Sequence, residues 1–167
     1  MNRYSKVKDQ RGEKTMCMNN PKPYSGKQPK NYIWGYKIVS AHPNSNPISL
    51  YPIFAFTIYS INAWQLSACE DTKAFHFFKN KEDCEKFALD TSFPLGVREA
   101  SYVKNYHIIH CMFKDIQIED TIPLDQITIN EETTEGYTPT IKVLTARYQK
   151  IPLSEYKRIC DMYKSKA

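Results

Sequence analysis

The stretch Tyr32-Ile33-Trp34-Gly35-Tyr36-Lys37-Ile38 is where a folding pattern first becomes visible along this chain. Side chains alternate between the two faces of a β-strand, so the even positions from Tyr32 to Ile38 fall on one face. Aromatic and β-branched residues in such an alternation are typical of a strand. The stretch therefore predicts a strand that begins the folded part of the chain.

Alternating or continuous apolar residues predict further strands. Both faces of Ile53–Ile61 are apolar, which is typical of a central strand that is covered on both sides. Trp64–Cys69 and Ala74–Phe78 predict a hairpin that turns at residues 70–72. Four later segments have the same strand character: Tyr106–Phe113, Ile116–Glu119, Leu124–Ile129 and Thr140–Tyr148.

Two short helices are predicted, at about 81–89 and about 154–165. The first follows a capping Asn80 and carries an apolar stripe of Cys84, Phe87 and Ala88. The second begins at Ser154 and has apolar residues at the i, i+3, i+4, i+7 spacing of one helical face, namely Tyr156, Ile159, Cys160 and Tyr163. Many strands without a βαβ alternation favour an α+β fold with a mainly antiparallel β-sheet.

The basic charge is concentrated in the first thirty residues. Eight of the 23 Lys and Arg residues lie there beside two acids, which gives this segment a net charge of +6. The rest of the chain holds 15 cations and 16 acids. The segment has no hydrophobic periodicity and is rich in Asn and Pro. We therefore expect residues 1–30 to be a disordered basic N-terminal arm, and residues 31–167 to be a single globular domain.

A flexible cationic arm would release counterions when it meets the phosphates of a nucleic acid. Tyr4 and Tyr24 lie among the cations and could stack on exposed bases. We expect the arm cations to contact nucleic acid or an acidic partner: Arg3, Lys6, Lys8, Arg11, Lys14, Lys22, Lys27 and Lys30.

Several function classes are disfavoured by what the sequence lacks. It contains no Gly-rich phosphate loop and no dinucleotide-binding fingerprint, and it has only five glycines. Its five cysteines are widely spaced, which indicates reduced thiols rather than a disulfide framework or a zinc site. There is no secretory signal and no apolar run of about 18 residues. We expect a cytoplasmic protein, in the host cytoplasm if it is viral, with no membrane contact and no cofactor.

The segment His107-Ile108-Ile109-His110 has the HxxH spacing of a metal-binding pair on a helix. Its apolar neighbours favour a strand, on which positions three apart face opposite ways. The two imidazoles are therefore expected to diverge, and so are the neighbours His110 and Cys111. No catalytic residue and no metal ligand is assigned on this pattern.

A small metal-dependent nuclease, or another hydrolase of unrecognised type, is an alternative interpretation. Such an enzyme would need two or three carboxylates beside a lysine. Glu119 with Asp120, or Glu99 with Lys104, are the pairs that could serve.

Aromatic residues are dense in the first part of the folded chain, where six lie within a short span: Tyr32, Trp34, Tyr36, Tyr51, Tyr59 and Trp64. Tyr and Trp are favoured anchors of binding interfaces. We therefore expect a non-enzymatic binding protein of the inhibitor or adaptor type, which docks on a protein partner involved in nucleic-acid handling. The Lys-, Asn- and Ile-rich composition suggests a phage, a virus or a mobile element as its source. Direct nucleic-acid binding through the basic arm is the first alternative.

Overall fold

The computed structural model describes residues 7–8, 14–15, 20–53, 58–67, 75–91, 93, 95–96, 105–124 and 140–164. Nine strands and two helices lie within these ranges. They are β1 (Val7–Lys8), β2 (Lys14–Thr15), β3 (Lys22–Pro23), β4 (Ile33–His42), β5 (Ser49–Pro52), β6 (Trp64–Leu66), β7 (Phe75–Phe77), α1 (Lys81–Asp90), β8 (Asn105–Pro123), β9 (Thr140–Lys150) and α2 (Leu153–Lys164). The two helices and the mainly antiparallel sheet confirm the predicted α+β fold.

The long strand β8 is the centre of the main sheet. It pairs antiparallel with β4 along one edge, where Gly35 lies opposite Cys111, and with β9 along the other, where Lys150 lies opposite Met112. The order of the sheet is β5-β4-β8-β9-β6. The short β3 joins β8 beside β4, and β7 joins β9 beside β6. The segments β1 and β2 pair only with each other among the described strands.

The sheet curls back on itself because the chain after β7 returns to β4. Phe78 and Tyr36 exchange two backbone hydrogen bonds, with N···O distances of 2.7 and 2.8 Å. Gly35 makes this approach possible, since a Cβ atom there would overlap the ring of Phe77 and lie 3.0 Å from the carbonyl oxygen of Phe78. A residue without a side chain is therefore required at this crossing.

The curled sheet encloses an inner hydrophobic cluster. Phe77 and Phe113 stack at its centre, with ring centroids 4.0 Å apart and planes 7° apart. Val39 and Ile109 from the paired strands β4 and β8 pack around them. Helix α2 contributes Ile159 and Tyr163, as its predicted apolar face requires. Tyr163 is additionally held by a hydrogen bond to His107, described below.

Helix α1 covers part of the outer face of the sheet. Its first turn is capped by the side chain of Asn80, which accepts a hydrogen bond from the backbone N–H of Asp83 at 2.9 Å. The predicted stripe of Cys84, Phe87 and Ala88 is buried, and it packs with outward residues of β4, β8 and β9 such as Ile38, Ile122 and Val143. The sequence therefore predicted both the cap and the buried face of this helix correctly.

Ordered contacts with the sheet begin before residue 30, where the sequence placed the end of the flexible arm. The side-chain amide of Gln28 makes the two hydrogen bonds that a neighbouring strand would make to Ile116. It donates to the carbonyl of Ile116 at 2.6 Å and accepts from the backbone N–H of Ile116 at 2.9 Å. Tyr24 packs against the inner cluster, and its backbone N–H donates to the carbonyl of Gln117 at 3.0 Å. Hydrophobic patterning could not reveal this docking, since most of these contacts are polar.

Side chains of helix α2 provide hydrogen-bond partners for the part of the β8 edge that β9 does not reach. The carboxylate of Glu155 accepts a hydrogen bond from the backbone N–H of His110 at 2.7 Å. Arg158 donates to the carbonyl of Ile108 at 3.0 Å. These two side chains replace a neighbouring strand, because buried backbone groups need partners.

Two strand predictions need correction. The predicted central strand Ile53–Ile61 is not formed, because β5 ends at Pro52 and the described residues 53 and 58–60 are turn and coil. Ile61 makes a single bridge to Ile151. Residues 54–57 lie outside the described part of the chain. The expected hairpin of Trp64–Cys69 with Ala74–Phe78 is replaced by separate pairing of β6 and β7 with β9. The common partner β9 lies far along the chain, so local patterns could not identify it.

The segments Tyr106–Phe113 and Ile116–Glu119 belong to the single strand β8, which continues through an irregular register near Ile116. The predicted strand Thr140–Tyr148 is confirmed as β9. Most of the predicted strand Leu124–Ile129 lies outside the described residues.

We predict that Gly35→Ala lowers the free energy of unfolding by about 1–3 kcal/mol, because the added methyl group would force apart β4 and the chain around Phe77. Urea denaturation of the two proteins measures the difference. In a Phe77→Leu background the same substitution should cost less, since the smaller side chain leaves room. An equal cost in both backgrounds would contradict the proposed contact between Gly35 and Phe77.

Candidate functional site

The outer face of the sheet is only partly covered by α1, and an aromatic surface occupies the part beside it. Ile38, Ile108 and the ring of Tyr36 pack with the cluster that α1 forms, whereas Trp34, the next outward residue along β4, is 45% exposed. We call this surface the aromatic face. It consists of residues from β4, β6, β8, β9 and the residue preceding β4: Tyr32, Trp34, Tyr36, Trp64, His110, Lys114 and Tyr148.

The rings of the aromatic face form a connected row. His110 lies between Tyr36, whose ring is stacked on it at 4.4 Å and 9°, and Trp34, whose ring is 4.6 Å away. Tyr32 meets the edge of Trp34 at 6.0 Å and also approaches Trp64 at 6.2 Å. The contacts fix the rings in place, so little conformational entropy would be lost when they bind another molecule.

The most exposed rings are those of Tyr32, at 43%, and Trp34, at 45%. Leu66, at the border of the same surface on β6, is 55% exposed. Large aromatic side chains are costly to leave in water, and a group of them on a monomer marks an interaction surface. The aromatic face is therefore the candidate site.

A lysine is built into this surface. The ammonium of Lys114 lies 4.3 Å from the ring centroid of Trp64 and 5.0 Å from that of Tyr148. Lys150 is paired with both Trp64 and Met112 across neighbouring strands, which places a second cation beside the rings. Exposed rings on a sheet can stack on planar groups of a ligand, and cations between the rings can contact anionic groups that join those planar groups.

An irregular turn of β8 lies immediately after Lys114. Asp115 has a left-handed backbone conformation with φ of 60°, and its carboxylate accepts from the side chain of Gln117 at 2.7 Å. Arg147 on β9 forms an ion pair with Asp115 at 3.4 Å. Irregular positions of this kind re-aim neighbouring side chains and are frequent beside binding sites.

The structure confirms part of the sequence prediction for the aromatics. Tyr32, Trp34 and Tyr36 share one face, and Trp64 joins them across the sheet. Tyr59 instead belongs to the inner cluster and is buried. Tyr51 lies on β5, where its ring contacts that of His42.

Three residues of the aromatic face were missed by sequence reasoning: His110, Lys114 and Tyr148. The alternation of β8 contained a signal for two of them, because residues 110, 112 and 114 share a face. No signal in the sequence indicated the pairing of β8 with β4 and β9, which brings this face beside the rings of those strands.

The two histidines of the HxxH segment diverge, as the strand interpretation predicted. His110 points into the aromatic face, whereas His107 is buried and its Nε2 lies 2.6 Å from the hydroxyl of Tyr163 on α2. Burial lowers the pKa of His107 to about 4, with a further contribution from Arg158. Cys111 faces the inner cluster, away from His110. The pair His107 and His110 therefore does not form a shared site.

Glu119 and Asp120, the carboxylates considered for a nuclease, form hydrogen bonds and an ion pair with the N-terminal segment and with β9. Glu119 forms an ion pair with Lys142 at 2.7 Å and accepts from Ser25, and these contacts lower its pKa to about 2. Asp120 is buried and accepts from the backbone N–H of Asn20 at 2.9 Å. Glu99 and Lys104 lie outside the described residues. No group of three or more His, Cys, Asp or Glu residues suited to a metal ion occurs among the residues that the structure describes.

The eight predicted arm cations fall into three sets. Lys22, Lys27 and Lys30 are exposed on the segment 20–30, which lies along β8. Lys8 and Lys14 are paired with each other at the backbone level in the β1–β2 ladder. Arg3, Lys6 and Arg11 lie outside the described residues.

A buried lysine occupies the interior of the curled sheet. Lys37 is only 4% exposed, and its ammonium donates to the hydroxyl of Tyr59 at 2.8 Å and to Oε1 of Gln149 at 2.5 Å. The rings of Tyr59 and Phe75 lie 4.4 and 5.3 Å from the same nitrogen. Sequence reasoning missed this residue, because a lysine in a strand is ordinarily solvent-facing.

Burial lowers the pKa of Lys37 to about 7, and the nearby thiols of Cys111 and Cys84 oppose the shift only in part. A cavity of about 40 Å³ lies next to it, lined also by Ile38, Ile53, His76, Phe78, Phe87 and Val143. This volume accommodates one or two water molecules and is too small for an organic substrate. We therefore interpret Lys37 as a structural residue.

No protein-family model, curated protein or solved structure matches this chain. Among the described residues, neither helix has the length and apolar character needed to cross a membrane.

We predict that Lys37 makes the free energy of unfolding rise with pH above about 7. Unfolding restores the ordinary pKa of 10.5, so above pH 7 the unfolded state binds a proton that the folded state lacks. The gain is at most about 1.4 kcal/mol per pH unit. Burial raises the pKa values of Tyr59, Cys84 and Cys111, and these groups act in the opposite direction at higher pH.

The comparison that isolates Lys37 is urea denaturation of the wild type and Lys37→Met between about pH 7 and about pH 8, below the ordinary cysteine pKa of about 8.5. The wild type should gain stability relative to the variant by roughly 1 kcal/mol per pH unit. Parallel pH profiles would show that the Lys37 amine does not titrate in this range.

Proposed function

We propose that this protein is a non-enzymatic binding protein that holds single-stranded nucleic acid on the aromatic face. The observation that carries the proposal is the row of rings from Tyr36 to Trp64 on an open sheet surface, with Lys114 set among them. Unpaired bases stack on such rings, while the cations meet the phosphates that connect the bases.

Single strands are favoured over duplexes because the faces of paired bases are already covered by their neighbours. A base that stacks on Trp34 or Tyr32 must be splayed out from its own strand, which is easiest when it is unpaired. Stacking is tolerant of sequence, since every base has a π-face. We therefore expect weak sequence preference and strong preference for single strands.

The charge of the protein supports the same partner. The chain carries a net charge of +5, and its N-terminal thirty residues carry the excess. We propose that the arm cations, from Arg3 to Lys30, add sequence-independent attraction to phosphates. The free thiols of Cys84, Cys111 and Cys160 suit the reducing cytoplasm in which we propose that the protein works.

A second candidate function is docking on a protein partner that itself handles nucleic acid, as an inhibitor or adaptor. The exposure of Leu66 beside Tyr32 and Trp34 favours it, because an aliphatic side chain is of little use in base stacking. Protein interfaces commonly combine such a residue with Trp and Tyr anchors. The geometry favours nucleic acid more, since cations are set among the rings.

We predict that Trp34→Ala weakens binding to an oligothymidylate by about 5- to 150-fold, the range that corresponds to one lost stacking contact of about 1–3 kcal/mol. The substitution removes an exposed side chain, so the fold should be retained. Fluorescence anisotropy of a labelled oligonucleotide measures the change, and circular dichroism confirms the fold.

The matched control is Leu89→Ala, which removes a 72% exposed apolar side chain on α1, outside the aromatic face. It should leave the affinity within about twofold of the wild type. If both variants bind as the wild type does, the aromatic face is not the binding surface. If the wild type binds neither DNA nor RNA single strands, the protein-partner function is favoured instead.

A further inference from the structure

We propose that the segment 20–30 is a phosphate-binding track that extends the aromatic face, so that one nucleic-acid strand is held in two ways at once. This inference rests on the proposed function. Bases would stack on the rings at one end, and phosphates would lie along Lys30, Lys27 and Lys22 towards the other. The ligand is a single strand long enough to reach both parts.

The track has a fixed position because the sheet holds its backbone. The side chain of Gln28 pairs with both backbone groups of Ile116. Ser25 donates its N–H and its hydroxyl to Glu119, at 2.9 and 2.5 Å. Asn20 is held by Asp120. The three lysines are therefore presented from an ordered strip, and less entropy is lost on binding than for lysines in a mobile arm.

The track is continuous with the rings. Lys30 lies two residues before Tyr32, and Lys22 is paired in register with Glu119 near the far end of β8. From Met112, beneath the rings, to Ile118 is six strand residues, or roughly 20 Å at the usual rise of a β-strand. A stacked strand covers that distance with about six nucleotides at 3.4 Å each, and an extended one with fewer.

The local charge suits phosphate. The segments 20–30, 110–120 and 140–150 together contain seven Lys and Arg residues against three carboxylates. Two of these carboxylates are already engaged by cations, Asp115 by Arg147 and Glu119 by Lys142. The third, Asp120, is buried and faces backbone N–H groups. The lysines of the track are exposed.

The test compares oligothymidylates of about 3 and about 12 nucleotides, because only the longer one can reach both parts. The variant is the triple substitution Lys22→Gln, Lys27→Gln and Lys30→Gln. The control, Lys81→Gln, Lys86→Gln and Lys157→Gln, removes the same charge from exposed positions on the two helices. Affinities are measured by fluorescence anisotropy, by direct titration for the long oligonucleotide and by competition for the short one.

The track variant should bind the long oligonucleotide about tenfold more weakly, and the slope of log affinity against log salt should fall by about 2, as expected for three lost phosphate contacts. Its affinity for the short oligonucleotide should stay within about twofold of the wild type, and the control should resemble the wild type at both lengths. Equal losses at both lengths, or losses that the control shares, would overturn the track. If the wild type binds neither the short nor the long oligonucleotide, the proposed function is overturned.

Discussion

Strand β8 has backbone N–H and C=O groups on two edges along Asn105–Pro123, and each group that is removed from water must find a partner. Neither β4 nor β9 is long enough to supply them all. The chain supplies the remainder with side chains, from Gln28 on one edge and from Glu155 and Arg158 on the other. This requirement draws both the N-terminal segment and α2 onto the same strand.

The alternation of β8 then divides the molecule into an interior and an outer surface. Inward residues such as Ile109 and Phe113 close the core together with the ring of Phe77, and the bridge between Phe78 and Tyr36 completes the curl. Outward residues pack against α1 only as far as that helix extends. Trp34 and Tyr32 lie farther along the same face and are exposed, so the aromatic face is a consequence of one short helix on a long sheet.

Local patterns allowed the helices, the strand at Tyr32–Ile38 and the divergence of His107 from His110 to be predicted, because periodicity and capping depend on residues that are close in sequence. The pairing of β6 and β7 with β9, the docking of Gln28 and the burial of Lys37 could not be predicted in this way. Each depends on a partner distant in the chain, and in the case of Lys37 the polar partners Tyr59 and Gln149 come from two separate segments. For the same reason the sequence revealed four of the seven residues of the aromatic face and not His110, Lys114 or Tyr148.

The chain has two tryptophans, Trp34 and Trp64, and both belong to the aromatic face. Tryptophan emission therefore reports directly on this surface, and its titration with single-stranded oligonucleotides is the most direct test of the account. Stacking of bases on the rings predicts saturable quenching by a single strand and much less by a duplex of the same length. Binding detected by anisotropy without any change in tryptophan emission would contradict the account, because the nucleic acid would then lie elsewhere on the protein.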